Sequence, residues 1–208
     1  MGLLNLLLTN PVAFAFIAIP LMYAIIFHEL AHGYVAYRLG DPTAKHLGRL
    51  SLNPLKHLDP LGTLMLFLVG FGWARPVPVN FSNIRDYRKG MILVSSAGIV
   101  MNMILAFAAL FLYSLLNPDQ SGMVALALVI FAKINIVLAA FNLIPIPPLD
   151  GSKILAGFAP AGVQAALHRM ERFGFLIVIA LLYLGALDPV IDFLQQMILS
   201  LINILLPA

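Results

Sequence analysis

His28, Glu29 and His32 are the residues of this chain whose types and spacing could do chemistry. On a helix of 3.6 residues per turn, positions four apart stand about 40° apart around the axis, so both imidazoles share one face and can grip one ion. Two histidines at this spacing suit zinc. The carboxylate of Glu29, next round the helix from His28, can hold a water at the metal and take its proton, the part of a general base in metal-assisted hydrolysis. The stretch that carries them, IIFHELAHGYVAYRLG over 25–40, is apolar on its N-terminal side. Ionisable side chains in or beside a membrane span are costly, and their presence there points to function.

The rest of the chain must supply a membrane frame and a further ligand. Of its 208 residues 62% are hydrophobic and only 10% charged, and the mean hydropathy is +0.98. These values exclude a soluble domain and indicate an integral membrane protein whose first partner is the lipid bilayer. Cysteine is absent, so disulfides and thiolate metal sites are excluded and any zinc must be held by nitrogen and oxygen. The formal charge of +3 reflects basic loops facing lipid headgroups; no basic cluster is dense enough for nucleic acid. The N-terminal MGLLNLLLTNP lacks the basic n-region of a signal peptide and reads as an interfacial helix or the lead-in to the first span.

Residues 12–38 read as one long apolar helix, interrupted by Pro20 and stopped by Gly40, Asp41 and Pro42. His28 then lies about 15 Å from the Arg38 end, within the bilayer and reachable from one face. A basic loop with Arg38, Lys45, Arg49 and Lys56 follows, in which GRLSLNP alternates as a short strand would. Residues 60–72 are apolar but short, and basic loops flank them on both sides, so this piece is expected to re-enter or pack without crossing. Further spans are expected at 90–116, 122–144, 173–187 and 190–206, with Lys153, Arg169 and Arg172 marking a cytoplasmic loop. The positive-inside rule gives an outside N-terminus, a cytoplasmic C-terminus and five crossings. The fold class expected is an all-α polytopic membrane protein of about five to six transmembrane helices, with a short re-entrant or β-containing segment near the site. No repeat or linker divides it, so 1–208 reads as one domain with a core over 12–160 and extra C-terminal helices over 173–206.

Two histidines do not complete a zinc site, and a carboxylate from a separate element is a common third ligand. The helix carrying the histidines and the third span both run to the cytoplasmic side, which brings Asp150 to the same side of the bilayer. Pro145, Pro147 and Pro148 stop the helix before it, and Gly151 lets the chain turn tightly. Inside a membrane such irregular backbone is tolerated only where it is buried in protein or lines a cavity. Asp150 is the best candidate for that ligand, the alternative being that Leu149-Asp150-Gly151 is merely an exposed turn after a helix.

His28-Glu29-x-x-His32 followed by Gly40-Asp41-Pro42, then GRLSLNPLKHLDPLGT, then FNLIPIPPLDG, resembles the site-2 protease family of intramembrane zinc metalloproteases in its compact bacterial and archaeal form. The likeness covers about residues 20–160, and the pairing of its two motifs is highly specific. It implies one zinc per chain held by His28, His32 and Asp150, a water in the fourth position, and Glu29 as base. It also implies cleavage of transmembrane protein substrates near the cytosolic face of a membrane, here a prokaryotic plasma membrane, often to release a signalling protein. Asn102, in SAGIVMN, resembles the family's asparagine, although Ile99 replaces the proline of the Ala-Gly-Pro that usually precedes it. As a catalytic candidate its amide could hydrogen-bond the oxyanion or the substrate backbone; equally it could hold helices together.

Asn142 has the same ambiguity between substrate contact and shaping the loop ahead of Asp150. Val77 and Val79, in ARPVPVN, are candidates for an edge strand that holds an unwound substrate by main-chain pairing. Gly98 and Ala97 read as close-packing residues. His57 and Asp59 could orient a ligand, or cap and pack the loop. His46 and His168 read as solvated, and Lys133 either snorkels or faces a substrate cavity. Two other classes stay open. A membrane metal or ion transporter also uses broken helices with polar groups at mid-membrane, and a catalytically silent scaffold of the same fold would bind partner helices.

Overall fold

The computed structural model describes residues 3–69, 72–120 and 122–206. A short helix α1 (Leu3–Thr9) leads into α2 (Pro11–Arg38), whose N-terminus is capped by the Asn10 side chain accepting from the Ala13 amide. Pro20 lies inside α2, and the helix ends where Gly40 takes a positive φ of 109°. α5 (Tyr87–Leu116) starts with Asp86 capping the Lys89 amide, and ends at Asn117 in the left-handed region. α6 (Met123–Leu143) returns beside it, and α2, α5 and α6 pack on one another as the centre of the bundle. Small residues make that possible. Ala24, Ala106, Ala132 and Ala139 are all almost fully buried, so backbones approach closely without large side chains between them.

Between α2 and α5 the chain forms α3 (Thr43–His46), a 3-10 turn over Pro54–Lys56, α4 (Pro60–Val69) and a 3-10 turn over Phe81–Asn83. The alternating GRLSLNP segment is not a strand. Gly48 sits at φ 62°, Pro54 starts the 3-10 turn, and among the described residues no neighbouring strand offers an edge to pair with. The expected β-containing segment reduces, among the described residues, to a single antiparallel bridge between Leu58 and Ala74, with the Arg75 amide donating to the His57 carbonyl at 2.8 Å. That bridge ties both ends of the 60–72 piece together, as a re-entrant piece requires; its residues 70 and 71 lie outside the described ones. ARPVPVN, too, is extended without belonging to a sheet.

After α6, Ile144–Leu149 make a tight turn containing a cis Pro147–Pro148 bond, and α7 (Asp150–Phe158) begins at Asp150 itself. Gly151 is therefore helical rather than a turn. Its role is proximity, because a Cβ there would stand 2.2 Å from the Leu143 carbonyl oxygen. α8 (Ala161–Tyr183) takes in Arg169 and Arg172, which were expected in a loop, and its apolar part within the helix is only Phe173–Tyr183, about 16 Å long. α9 (Asp188–Leu205) starts beside the end of α6, with Leu187 packed with Ile144 and Leu149. It returns along α6, with Ile198 and Ile202 in one cluster with Ile136, Ala139 and Ala140. Among the described residues four helices, α2, α5, α6 and α9, are long and apolar enough to span a membrane. The protein is thus an all-α polytopic membrane protein, and the apolar run expected as a span at 173–187 falls in α8, whose first half is polar.

Candidate metal centre

The apolar core of α2 brings its two histidines to the α5 side. His28 and His32 are 7% and 8% exposed, and Gly98, eleven residues into α5, is the floor beneath them. A Cβ on Gly98 would lie 2.5 Å from His28 Cε1 and 2.5 Å from His32 Nε2, so only glycine lets these two edge-to-face rings pack against α5. Asp150, at the first position of α7, completes the group. Its Oδ2 is 3.1 Å from His28 Nε2 and 3.0 Å from His32 Nε2, and the two Nε2 atoms are 3.0 Å apart.

The far nitrogens decide what these three atoms are. His28 Nδ1–H donates to Asn102 Oδ1 at 2.6 Å, and His32 Nδ1–H donates to the Val94 carbonyl at 2.7 Å. With the protons of the neutral rings spent there, both Nε2 atoms present lone pairs to each other and to a carboxylate. Three acceptors converging in a buried space call for a cation. Donors about 2.0–2.1 Å from a tetrahedral ion stand about 3.3 Å apart, close to the spacing seen. The donor set of two imidazoles and one carboxylate fits zinc, with a fourth position left for water or substrate.

Glu29 is held from the other side. Its Oε2 accepts the Val77 amide at 2.7 Å, in the irregular stretch 75–80 that lies across this face of α2. Arg49, 9% exposed, secures one end of that strap by donating from Nη2 to the carbonyls of Arg75 and Pro76 at 2.7 and 3.1 Å. Fully buried Asp41 secures the other, accepting the Asn80 amide at 2.7 Å and the Asn83 side-chain amide at 2.7 Å. Burial alone would raise the Asp41 carboxyl, but hydrogen bonds from Thr43, Asn83 and Asn80 hold it below its usual range. Val77 buries its side chain towards Gly33, where a Cβ would meet Val77 Cγ1 at 2.7 Å, and Val79 packs with Ala36, Ile84 and Val94.

Asn102 is fully buried, and its Nδ2 donates to the Ala24 carbonyl and to Asn135 Oδ1. Its two amide hydrogens are thereby directed away from the metal centre, so it orients His28 and joins helices instead of offering a donor to an oxyanion. Asn142 donates back to the Leu138 carbonyl of its own helix at 3.0 Å. His57 is packed in the loop, bonding the Ser51 carbonyl, and Asp59 caps α4 by accepting the Gly62 amide. His46 is exposed, as is Lys133, and His168 pairs with Glu171 on the outer face of α8. The sequence reading missed Asn135, the Val94 carbonyl, Arg49 and the Val77 amide as supports. Of these, only an uncharged polar residue inside an apolar helix, at Asn135, left a signal that could have been followed.

A sequence model of peptidase family M50 matches residues 118–185, which include Asp150. YwhC of Bacillus subtilis, whose name marks it as a candidate zinc metalloprotease, is 45% identical over 173 residues, covering 80% of this chain and 79% of its own length. Rip2 of Mycolicibacterium smegmatis, named in the same way, is 30% identical over 172 residues, 80% of this chain and 66% of its own. MJ0392 of Methanocaldococcus jannaschii, named a zinc metalloprotease, is 26% identical over 149 residues, 72% of this chain and 36% of its own. No solved structure matches. Against the transporter and the silent scaffold, the family and its relatives select a zinc-dependent enzyme that works on proteins in a membrane: the chain belongs to peptidase family M50, the site-2 protease family of membrane zinc metalloproteases.

Proposed function

We propose that this protease cuts transmembrane protein substrates at a point within the bilayer near the cytosolic face, with His28, His32 and Asp150 as the zinc ligands and Glu29 as the general base. The observation that carries the reading is the convergence of two imidazole lone pairs and a carboxylate oxygen within about 3 Å of one another in a buried space. When bound there, zinc supplies the Lewis acidity that polarises a peptide carbonyl and lets water lose a proton at neutral pH. Glu29 takes that proton and delivers it to the leaving amine nitrogen. The Val77 amide fixes one oxygen of that carboxylate, so the other is the one that moves the proton. Asn102 Oδ1 and the Val94 carbonyl hold the imidazoles in the tautomer that binds metal.

The depth of the site supports the choice of substrate. His28 lies about 15 Å along α2 from Arg38, after which Lys45, Arg49, Lys56, Arg75 and Arg85 follow in the connection between α2 and α5, and Arg88 and Lys89 in the first turn of α5. By the positive-inside rule that end faces the cytosol of a prokaryotic plasma membrane. On this reading α9, running back along α6, carries the C-terminal end to the opposite face, the reverse of what loop charges alone suggest, and residues 1–208 act as one integral-membrane domain. Substrate contacts are assigned to the strap around Val77 and Val79 and to Asn142, which flanks the turn before Asp150.

Zinc content and cleavage of a model transmembrane substrate, measured on the wild type, Glu29→Gln and Asp150→Ala, test the assignment. About one zinc per chain is expected in the wild type and in Glu29→Gln. Turnover of Glu29→Gln should fall by a factor of about 10²–10⁴, and zinc should be weakened in Asp150→Ala. Undiminished zinc without Asp150 would remove it from the ligand set, and full cleavage by Glu29→Gln would remove the base.

A further inference from the structure

The geometry points to Asn135 of α6, through its bond to Asn102, as a positioning residue of the metal centre that sets which nitrogen of His28 is free for zinc. This inference rests on the zinc reading of the site. Asn102 can present either end of its carboxamide to His28, and the two ends have opposite consequences. With Oδ1 towards the ring, Nδ1 keeps the proton and Nε2 is left as a ligand. With Nδ2 towards the ring, Nδ1 must accept, the proton moves to Nε2, and the ligand atom is blocked.

What chooses between them is a chain of amides. The Phe131 carbonyl can only accept, and Asn135 Nδ2 donates to it at 2.8 Å. Asn135 therefore turns its Oδ1 towards Asn102, where it accepts from Nδ2 at 2.8 Å. Asn102 is then obliged to aim Oδ1 at His28, 2.6 Å from Nδ1. The Ala24 carbonyl, 3.3 Å from Asn102 Nδ2, supports the same orientation more weakly. Both asparagines are 0% exposed, so water does not compete for their donors or acceptors. The polarity of the relay is thus fixed by a backbone carbonyl of α6 and read out by a ring of α2, across α5.

Zinc affinity by chelator competition, measured on the full-length protein in detergent, tests this with a double-mutant cycle. Asn102→Leu is expected to weaken zinc by about 10–100-fold, as loss of a group that orients a metal-binding histidine does. Asn135→Leu should weaken it by about tenfold, and the double variant should be no weaker than Asn102→Leu alone, because Asn135 acts only through Asn102. Asn135→Asp with its buried carboxyl neutral keeps both a donor for the Phe131 carbonyl and an acceptor for Asn102, and should stay near the wild type. A second readout needs no zinc. In metal-free protein labelled with ¹⁵N-histidine, the His28 resonance, assigned by its loss in His28→Ala, should report a proton on Nδ1 in the wild type and a shift towards Nε2–H in Asn135→Leu.

Wild-type zinc affinity in Asn135→Leu, or losses that multiply in the double variant, would overturn the relay, as would an unchanged His28 tautomer. Thermal midpoints and monodispersity of each variant separate misfolding from a changed site, since the tautomer is read only in folded protein. If the wild type itself takes up no zinc, it is the zinc reading that fails, while the metal-free tautomer still reports on the relay.

Discussion

The two halves of this site are held by opposite means. The three ligand atoms sit on regular helices, and their supports are uncharged: a carboxamide for His28, a backbone carbonyl for His32, a glycine floor beneath both. Glu29 stands on the same helix but is held by an irregular strap, and that strap is tied down by charged side chains, Arg49 at one end and Asp41 at the other. The difference follows from backbone regularity. A helix satisfies its own backbone and can sit where there is no water, whereas an irregular segment must find a donor or acceptor for each exposed group from its neighbours. On the proposed roles of these residues, holding the metal and moving the proton depend on separable parts of the molecule, so substitutions should divide into those that lose zinc and those that lose turnover alone.

The sharpest test of that division on the helical side is Gly98→Ala. A methyl group 2.5 Å from both imidazoles must push at least one ring off α5, and a shift of well under an ångström already spoils the convergence of the three atoms. Zinc affinity and turnover are both expected to fall by at least about a hundredfold, comparable to losing a ligand's orienting partner outright. Retention of zinc with normal turnover would mean that the rings are not packed on Gly98, and the comparison would fail at its start.

On the strap side the expected effect is smaller and of a different kind. Val77→Pro removes the one amide that Glu29 Oε2 accepts. A hydrogen bond to a charged group is worth about 1.5–3 kcal/mol, so turnover should drop by roughly 10–150-fold, while zinc stoichiometry and affinity stay at wild-type values. Parallel measurement of cleavage and of zinc by chelator competition checks it. Loss of zinc in this variant would show that the strap supports the metal centre too, and would merge the two halves that the geometry separates.

The same contrast explains what could be read from the chain beforehand. α2, α5 and α6 are legible because each is an unbroken apolar run with a punctuated end, at Gly40-Asp41-Pro42, at Asn117-Pro118 and at Pro145. The meeting of His28, His32 and Asp150 is legible because two histidines inside an apolar run and an aspartate just past the end of another are unusual. α8 was cut short in the reading because Arg169 and Arg172 look like loop charges, yet they lie on the exposed face of a helix that begins at Ala161. GRLSLNP alternates like a strand, but alternation only predicts pairing where a partner edge exists. The supports of the site are hidden for a simpler reason. Asn135 meets Asn102 across 33 residues and Val77 meets Glu29 across 48, and in the second case the group that matters is a backbone amide, which nearly every residue carries.

Asp41 offers the mildest test, because it acts on the strap from a distance. Its carboxyl is held below its usual range by Thr43, Asn83 and Asn80, against the cost of burial. A depressed pKa in the folded protein means that the charged form stabilises the fold at pH values above the unfolded value of about 3.9, and that this contribution is lost as pH falls through the lower folded value. Above about pH 5 the contribution should be constant, so the strap is fully secured at neutral pH. Thermal midpoints of zinc-free wild type and Asp41→Asn, followed from pH 7 to pH 3, isolate it, since the histidines titrate alike in both. The wild type is expected to be the more stable by a constant margin down to about pH 5, and the margin should shrink below that. A margin that stayed level to pH 3 would mean that Asp41 holds Asn80 and Asn83 by shape rather than by charge, and the strap would then be secured electrostatically at its Arg49 end alone.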